Sequence, residues 1–329
     1  MSSSGLRADF FQRLAAAMTA NTCCNLTTID ISLNFVEDKG MAPISAAISH
    51  FPRGLRHLNL SHCSLSGKQA VNNLCQALVT NKLSLNSLTY LNLSGNTIRE
   101  DVQQLTNFLA QPNMISILDL SSTEIPSELL FSALVRGCTL HLSHLNLSRN
   151  PFAAKKSKGE IPAAFKQFFA TSLCLKYLNL SHCGKIPGDG LKHLLLGLAC
   201  NENIKDVELN ISNNNLGGSG GGGATVLENA LPGIKCVSRL DLSENNFDVE
   251  LAAVVNGVTR CRNLLSLNIS KNLPKIKARD VIHVTDSIVQ LIQDEETVLQ
   301  KLNLSDCRLK TDLNNVINAL GSNQCIQVL

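Results

Sequence analysis

The chain has 329 residues, 44% of them hydrophobic, and its 29 basic and 26 acidic residues leave a formal net charge of +3. Such a balanced charge gives no general attraction to nucleic acid or to an anionic membrane, so any charge argument has to be local. No apolar run reaches the roughly 18 residues of a membrane span, and the first residues, MSSSG, do not read as a signal peptide.

The first predicted element is a helix over residues 6–20. Its apolar residues Leu6, Phe10, Leu14 and Ala17 stand near helical spacing. No strand pattern precedes this helix, although one precedes every later helix. We therefore expect residues 1–25 to be a partial first repeat.

A phrase with the pattern LxxLxLSxN then recurs along the chain, and its clearest copy is residues 88–96, LTYLNLSGN. Its three leucines lie on one side of a short strand, because side chains alternate along a strand. Spacings of 27 to 35 residues are typical of leucine-rich repeats. The copies open at Leu26, Leu55, Leu88, Ile115, Leu142, Leu175, Asp206, Val237, Leu264 and Leu299, and one more begins at Ile326.

Each strand is followed by a turn and a predicted helix. Two clear examples have apolar residues at i, i+3, i+4 and i+7: Val71, Leu74, Cys75 and Leu78, and Leu191, Leu194, Leu195 and Leu198. Helices are wider than strands, so such repeats curve. We predict one α/β domain over residues 1–329, a ribonuclease-inhibitor-like horseshoe of about ten repeats with parallel strands on its concave face and helices on its convex face.

Three rows of residues are expected to face the hollow. The Asn/Asp row is Asp30, Asn59, Asn92, Asp119, Asn146, Asn179, Asn210, Asp241, Asn268 and Asn303. The Ser row is Ser32, Ser61, Ser94, Ser121, Ser148, Ser181, Ser212, Ser243, Ser270 and Ser305. Both rows are nearly uniform, which favours lateral hydrogen bonding between repeats, a structural role.

The third row, here called the variable row, is Thr28, His57, Tyr90, Ile117, His144, Tyr177, Glu208, Arg239, Ser266 and Lys301. It holds both tyrosines of the chain, and aromatic and arginine side chains often anchor protein interfaces. The alternative is that tyrosine simply suits a β surface. We predict that a protein partner binds through His57, Tyr90, His144, Tyr177, Glu208, Arg239 and Lys301. His57 and His144 are three repeats apart, too far to share a metal ion.

The twelve cysteines include no CxxC pair, and Cys63, Cys183 and Cys307 occupy the last position of the phrase, where leucine-rich repeats alternate asparagine with cysteine. We expect them to pack in the core. Cys23 and Cys24 have no second pair at metal-ligand spacing, so a metal site or disulfide there is the weaker alternative. Thiols of this kind favour a cytoplasmic protein.

Insertions lengthen three repeats. Two are basic loops, with Lys155, Lys156 and Lys158 in the first and Lys275, Lys277 and Arg279 in the second. They suit phosphoinositide headgroups or an acidic partner, although most such loops are only solvated. The third, a glycine run at 217–223, matches both GxSxG and GxGxxG by composition. GxGxxG is a dinucleotide-binding motif that needs an acid for the ribose, and Asp241 is placed where that acid would stand. Asp241 already belongs to the Asn/Asp row, however, so we predict no enzyme and no cofactor.

Several segments outside the repeated phrase resemble one known family. They are residues 107–113 (NFLAQPN), 165–169 (FKQFF), 194–201 (LLLGLACN), 291–296 (LIQDEE), 309–312 (LKTD) and 317–323 (INALGSN). They lie in helices and insertions, where repeat chemistry does not dictate sequence. They resemble, in order along the whole chain, the leucine-rich repeat domain of the CARMIL proteins, the capping-protein and myosin-I linkers of the actin cytoskeleton.

The resemblance implies a non-enzymatic scaffold that regulates actin assembly and cell migration. It places a lipid-binding module before residue 1, and a dimerisation region and a capping-protein motif after residue 329. Partners of the actin machinery, a dimer of the full-length protein, and a location in the cytoplasm at the cytoskeleton and inner plasma membrane are therefore expected. We accordingly expect truncation at both ends, with residues 324–329 as an incomplete last repeat. The alternative is a ribonuclease-inhibitor-type blocker that wraps an enzyme.

Overall fold

The computed structural model describes residues 1–99, 101–153, 161–218, 222–309 and 312–329. The chain forms two compact units: residues 1–164 with 171–175, and residues 165–170 with 176–329. Within each unit, short parallel strands alternate with helices, and strands that follow one another along the chain pair side by side. The predicted fold class, an α/β leucine-rich repeat solenoid, is therefore confirmed.

The first unit contains five parallel strands: β1 (Thr28–Asp30), β2 (His57–Asn59), β3 (Tyr90–Asn92), β4 (Ile117–Asp119) and β5 (His144–Asn146). Its helices are α1 (Ala8–Ala20), α2 (Glu37–Ser49), α3 (Asn72–Thr80), α4 (Lys82–Leu85), α5 (Gln103–Leu109) and α6 (Phe131–Gly137). A π-helical turn, Gly67–Val71, leads into α3, and a 3-10 turn, Ser127–Leu129, precedes α6.

The second unit contains β6 (Tyr177–Asn179), β7 (Val207–Asn210), β8 (Val237–Asp241), β9 (Ser266–Asn268) and β10 (Lys301–Asn303), again all parallel. Its helices are α8 (Gly188–Ala199), α9 (Gly223–Ala230), α10 (Leu251–Thr259), α11 (Val281–Gln293) and α12 (Leu313–Leu320), together with residues 165–170 of α7 (Ala163–Thr171). Short 3-10 turns occur at Leu231–Gly233, Asp248–Glu250 and Ala278–Asp280. Val328 pairs with Lys301 beside β10.

The strands are short because the chain turns directly after the Asn/Asp row. Asn92, the last residue of β3, accepts a hydrogen bond from the backbone N–H of Ser94 at 2.9 Å through its side chain. The next residue, Gly95, has φ +70°, in the left-handed region. A side chain that bonds the backbone two residues on favours a turn over an extended strand.

The core lies between the strands and the helices. The leucines of the repeated phrase, such as Leu91 and Leu93, are 0% exposed, as are Leu74 and Leu78 on the facing side of α3. Leu191 and Leu195 of α8 are equally buried. The helical faces predicted for α3 and α8 are thus confirmed, since the structure buries the residues that the spacing of 3.6 per turn selects.

Buried asparagines at the end of the phrase join successive repeats. Asn245 donates to the carbonyl of Ile211, one repeat earlier, at 3.1 Å, and its own backbone N–H donates to Asn272 Oδ1 at 2.8 Å. Where cysteine replaces asparagine, the thiol keeps the contact with the preceding repeat: Cys63 Sγ lies 3.3 Å from the carbonyl of Ile31. The predicted core position of Cys63, Cys183 and Cys307 is confirmed.

The first helix forms as predicted, but the apolar residues whose spacing predicts it are not the ones that it buries. The structure buries Phe11, Ala15 and Met18 of α1, whereas Phe10 is 37% exposed. Both sets have helical spacing, and they differ by a rotation of about 100° around the helix axis. Packing against α2 makes the choice, because Gly40 allows the backbones to approach closely: a Cβ built on Gly40 would lie 3.3 Å from Phe11 Cβ.

The start of the seventh repeat also differs from its predicted register. Asp206 stands at the first leucine position of the phrase, but it is exposed and has φ +58°. The buried residue is the next one, Val207, which is 0% exposed and pairs with Val237 across an irregularity in the register. A carboxylate is too costly to bury without a partner, so Asp206 stays exposed and Val207 enters the core. The next pair is Glu208 with Arg239, which leaves Ser238 of β8 as the extra residue of the irregularity.

The cysteines should differ sharply in reactivity. All twelve are thiols, of which three are exposed (Cys23, Cys174 and Cys200) and eight are buried. Burial raises the pKa to about 11 for Cys63, Cys138, Cys236, Cys261 and Cys307. Because the thiolate is the reactive form, we expect a thiol reagent at pH 8 to label the three exposed cysteines quickly and the partly exposed Cys325 more slowly. Mass spectrometry of labelled peptides checks this, and rapid labelling of Cys63 or Cys138 would contradict the burial.

Candidate functional site

The variable row lies on the sheet face that points away from the helices, in the register predicted from the sequence. Thr28, His57, Tyr90, Ile117 and His144 are successive partners in the first unit. In the second unit the successive partners are Tyr177, Glu208, Arg239, Ser266 and Lys301. All ten side chains are exposed or partly exposed. We call this surface, the variable row with the Asn/Asp row beside it, the strand face.

In the first unit the structure brings together two of the predicted binding residues. The rings of His57 and Tyr90 stack with centroids 3.9 Å apart and planes 7° from parallel. The Tyr90 hydroxyl accepts a hydrogen bond from Asn92 at 3.3 Å, which holds the ring in place. His144 lies three strands from His57, and its Nδ1 is 2.8 Å from Ser143 Oγ. The stack is therefore a fixed, flat platform, the kind of preorganised aromatic surface that protein interfaces use.

In the second unit the same row carries charge. Tyr177 repeats the tyrosine arrangement, since its hydroxyl accepts from Asn179 at 3.1 Å. After it come Glu208, Arg239 and Lys301, all exposed, with Ser266 between the two cations. The predicted residues of the first unit are thus His57, Tyr90 and His144, all with aromatic rings, whereas in the second unit the aromatic Tyr177 is followed by the charged Glu208, Arg239 and Lys301.

The Asn/Asp row forms the lateral hydrogen bonds that its uniform composition predicts. An asparagine amide donates to the aspartate of the preceding strand at 3.1 Å in three places: Asn59 to Asp30, Asn146 to Asp119 and Asn268 to Asp241. Burial tends to raise the pKa of Asp30, but hydrogen bonds from Ser32 and Asn59 outweigh it, and the pKa is lowered. These carboxylates are occupied by neutral donors, which supports the structural role.

The Ser row does not face the hollow as predicted. Seven of its ten serines are buried: Ser32, Ser61, Ser94, Ser148, Ser181, Ser212 and Ser270. Their backbone N–H groups turn back to the Asn/Asp side chain two residues earlier, as Ser94 does to Asn92. This hydrogen bond draws the serine under the turn, so the period-2 alternation of the strand does not extend to it.

A further row, missed from the sequence, is exposed or partly exposed instead. This row is the residue directly after each serine of the Ser row. All ten of its members have positive φ: Leu33, His62, Gly95, Ser122, Arg149, His182, Asn213, Glu244, Lys271 and Asp306. We call it the turn row. The signal available in the sequence was that this position varies although the serine before it is the same in every copy.

Side chains of the turn row contact one another laterally. The His62 ring covers Gly95, where an added Cβ would lie 2.3 Å from two ring atoms. In the second unit, Glu244 accepts from Asn213 at 2.8 Å and from Lys271 at 3.0 Å. The bond from Lys271 is the main reason that the pKa of Glu244 is lowered. The turn row charges of this unit are therefore largely satisfied within the protein.

The two predicted basic loops have different outcomes. Lys155, Lys156 and Lys158 lie outside the described residues. Lys275, Lys277 and Arg279 are exposed, with acidic neighbours: the Lys275 backbone N–H donates to Asp248 at 2.8 Å, and Arg279 Nε is 3.6 Å from Asp280. This loop is a mixture of charges rather than a uniformly basic surface.

The glycine run has a packing role at its described ends. A Cβ on Gly217 would lie 2.4 Å from the backbone of Asn246 and Phe247, so only glycine fits between these repeats. Residues 219–221 lie outside the described part of the chain. Across the described ranges, no three His, Cys, Asp or Glu side chains are placed to hold a metal ion. Among the helices that the structure describes, none has the length and apolar character needed to cross a membrane.

Comparison with known proteins identifies related sequences over the full chain. The model of the CARMIL family leucine-rich repeat domain matches residues 1–329. The chain is 39% identical over 331 residues to human capping protein, Arp2/3 and myosin-I linker protein 3, covering 99% of the chain and 24% of that protein. It is 32% identical over 328 residues to protein CARMIL of Dictyostelium discoideum, covering 98% of the chain and 30% of that protein. The chain thus spans about a quarter of the relatives it matches.

Solved structures support the fold alone. The leucine-rich repeat protein LegL7 of Legionella pneumophila matches with a TM-score of 0.50 and 21% identity, over 92% of this chain and 89% of that one. A chain of the yeast Rad7 and Elc1 complex matches with a TM-score of 0.52 and 15% identity, over 97% of this chain and 81% of that one. Identities this low carry no information about function.

Proposed function

Because this chain belongs to the CARMIL family, as its leucine-rich repeat domain, we propose that it is a non-enzymatic scaffold that binds a protein of the actin machinery through its strand face. The observation that carries the proposal is the His57–Tyr90 stack, a rigid aromatic platform on an exposed face. Aromatic residues with few rotatable bonds lose little entropy on binding. The names of the relatives, linkers of capping protein, Arp2/3 and myosin-I, support an actin partner.

The remaining activities of the whole protein are proposed to lie outside residues 1–329. These are contact with capping protein, membrane association and dimer formation, with the protein acting in the cytoplasm at the inner face of the plasma membrane. A blocker of the ribonuclease-inhibitor type is less well supported. It would need a strongly acidic face for a basic target, but Glu208 stands beside Arg239, and Asp30, Asp119 and Asp241 are held by asparagines.

The double variant Tyr90→Ala/Tyr177→Ala, made in the full-length protein, should weaken binding of the strand-face partner about 10- to 100-fold, as expected for loss of aromatic anchors. Both side chains are on the strand face and outside the core, so helical content should not change. Quantitative mass spectrometry of proteins recovered with the variant and the wild type measures the effect.

Three controls make this test specific. The variant Tyr90→Phe/Tyr177→Phe keeps the rings and should keep binding. The variant Gln76→Ala/Lys192→Ala removes two exposed side chains from α3 and α8, away from the strand face. Capping protein, expected to bind outside residues 1–329, should be recovered equally throughout. Equal recovery of every actin-associated protein with the alanine variant would refute the strand-face site.

A further inference from the structure

Two opposite charges on neighbouring strands of the second unit are not paired with each other. Glu208 of β7 and Arg239 of β8 are directly opposite in the register, and both are exposed. Within the part of the chain that the structure describes, no side-chain hydrogen bond or ion pair involves Glu208, Arg239 or Lys301. Their charges are directed to solvent, although a partner of opposite sign lies one strand away.

The turn row of the same unit shows the opposite behaviour. There, Glu244 is bonded to both Asn213 and Lys271, at 2.8 and 3.0 Å. Asp241, the neighbour of Arg239 on the same side of β8, is also occupied: Ser243 donates to one carboxylate oxygen at 2.7 Å and Asn268 to the other at 3.1 Å. The protein therefore satisfies the charges around the variable row but leaves those of the variable row itself available.

We propose that this row binds a partner α-helix with a defined order of charges, a proposal that rests on the strand face being a protein-binding site. Successive turns of a helix are about 5.4 Å apart, close to the strand separation of about 4.8 Å, so a helix lying across the strands presents one side chain to each strand. The row reads Glu208, Arg239, Ser266, Lys301. The matching helix carries a basic residue, then an acidic one, then a small one, then an acidic one, on successive turns.

The mixed signs select the class of partner. A nucleic acid or an anionic membrane would gain from Arg239 and Lys301 but would be repelled by Glu208, which is in the same row. A polypeptide helix carries both signs at the required spacing. Complementary order of charges contributes mainly to specificity, because each wrong juxtaposition is unfavourable.

The test uses two synthetic alanine-rich helical peptides of identical composition. The matched peptide presents Lys, Glu, Ala and Glu on four successive turns, and the mismatched peptide presents Glu, Lys, Ala and Glu. Neither direction of the mismatched peptide places lysine opposite Glu208. We expect the wild type to bind the matched peptide roughly tenfold more tightly at low salt, by fluorescence anisotropy, since each exposed pair contributes only a small factor.

The exchange variant Glu208→Arg/Arg239→Glu leaves composition and net charge unchanged, and it should reverse this preference, because its row then complements the mismatched peptide. The control exchange Glu244→Lys/Lys271→Glu, in the turn row, should keep the wild-type preference. Thermal melts of both variants should resemble that of the wild type, since Glu208, Arg239 and Lys271 are exposed and Glu244 is partly exposed.

Three results would overturn the proposal: equal binding of both peptides, absence of binding, or a preference that survives the Glu208/Arg239 exchange. Binding to phosphatidylserine vesicles that is lost when the cations of the row are removed, in Arg239→Ala/Lys301→Ala, would assign the row to a membrane instead. The tyrosine experiment tests the strand-face site independently of the order of charges. If the peptides fail while Tyr90→Ala/Tyr177→Ala still loses its cellular partners, the strand face remains a binding site and only the charge order is wrong.

Discussion

Replacing Asn96 with alanine should destabilise the first unit by about 3–5 kcal/mol, because it leaves four buried backbone groups without a partner. The side-chain carbonyl of Asn96 accepts from the backbone N–H groups of Cys63 and Leu65, each at 3.0 Å. Its amide donates to the carbonyls of Leu60 at 2.8 Å and Leu93 at 2.9 Å. Asn96 is 1% exposed, so water cannot replace these bonds. Chemical denaturation monitored by circular dichroism measures the loss.

The matched control is Asn303→Ala, the same substitution at an exposed position. Among the residues that the structure describes, the Asn303 side chain bonds only to Ser305, at 3.0 Å to its N–H and 2.7 Å to its hydroxyl. Its loss should cost less than about 1 kcal/mol, because water takes over. Asn96→Cys should fall between the two, since Cys63 occupies the equivalent position and its thiol still reaches the Ile31 carbonyl. Equal costs for Asn96→Ala and Asn303→Ala would show that the buried hydrogen bonds do not join the repeats energetically.

Replacing Gly137 with alanine should also destabilise the protein, by about 2–3 kcal/mol, although helix propensity alone predicts a gain. Gly137 is the last residue of α6, and it lies against the end of α5. A Cβ there would be 2.0 Å from the carbonyl oxygen of Leu109 and 2.4 Å from that of Gln111. Both obstacles are backbone atoms, so the two helix ends must separate to admit a methyl group.

Gly233→Ala is the control for Gly137→Ala. Gly233 ends the short turn Leu231–Gly233, its φ is not positive, and a Cβ on it would meet nothing within 4 Å. The substitution should be neutral or stabilise the protein by up to about 1 kcal/mol, because alanine restricts the unfolded chain. The midpoints of urea unfolding compare the two variants. A Gly137→Ala protein as stable as Gly233→Ala would mean that α5 and α6 separate at little cost.

Much of the candidate site was predictable because the repeated phrase sets the register. Each copy places the same number of residues between its leucines, so Tyr90 had to lie beside His57, and Glu208 beside Arg239. The period of two along a strand then turned these residues outward. The phrase did not reveal the left-handed turn row, because the identity of a variable residue carries no information about its φ angle.

The sequence by itself determined the α/β leucine-rich repeat fold, the strand register and the residues of the exposed row, because these follow from short-range periodicity. Only the tertiary structure decided which stripe of α1 is buried, that Val207 replaces Asp206 in the core, and that the Ser row turns under its strand. It also decided that His57 and Tyr90 stack while Glu208 and Arg239 remain apart. The α1 stripe and the two strand pairs depend on neighbouring elements about 30 residues away, whose contacts no local pattern encodes. The Ser row depends on a hydrogen bond to the side chain two residues earlier, which the period-2 pattern of a strand does not include.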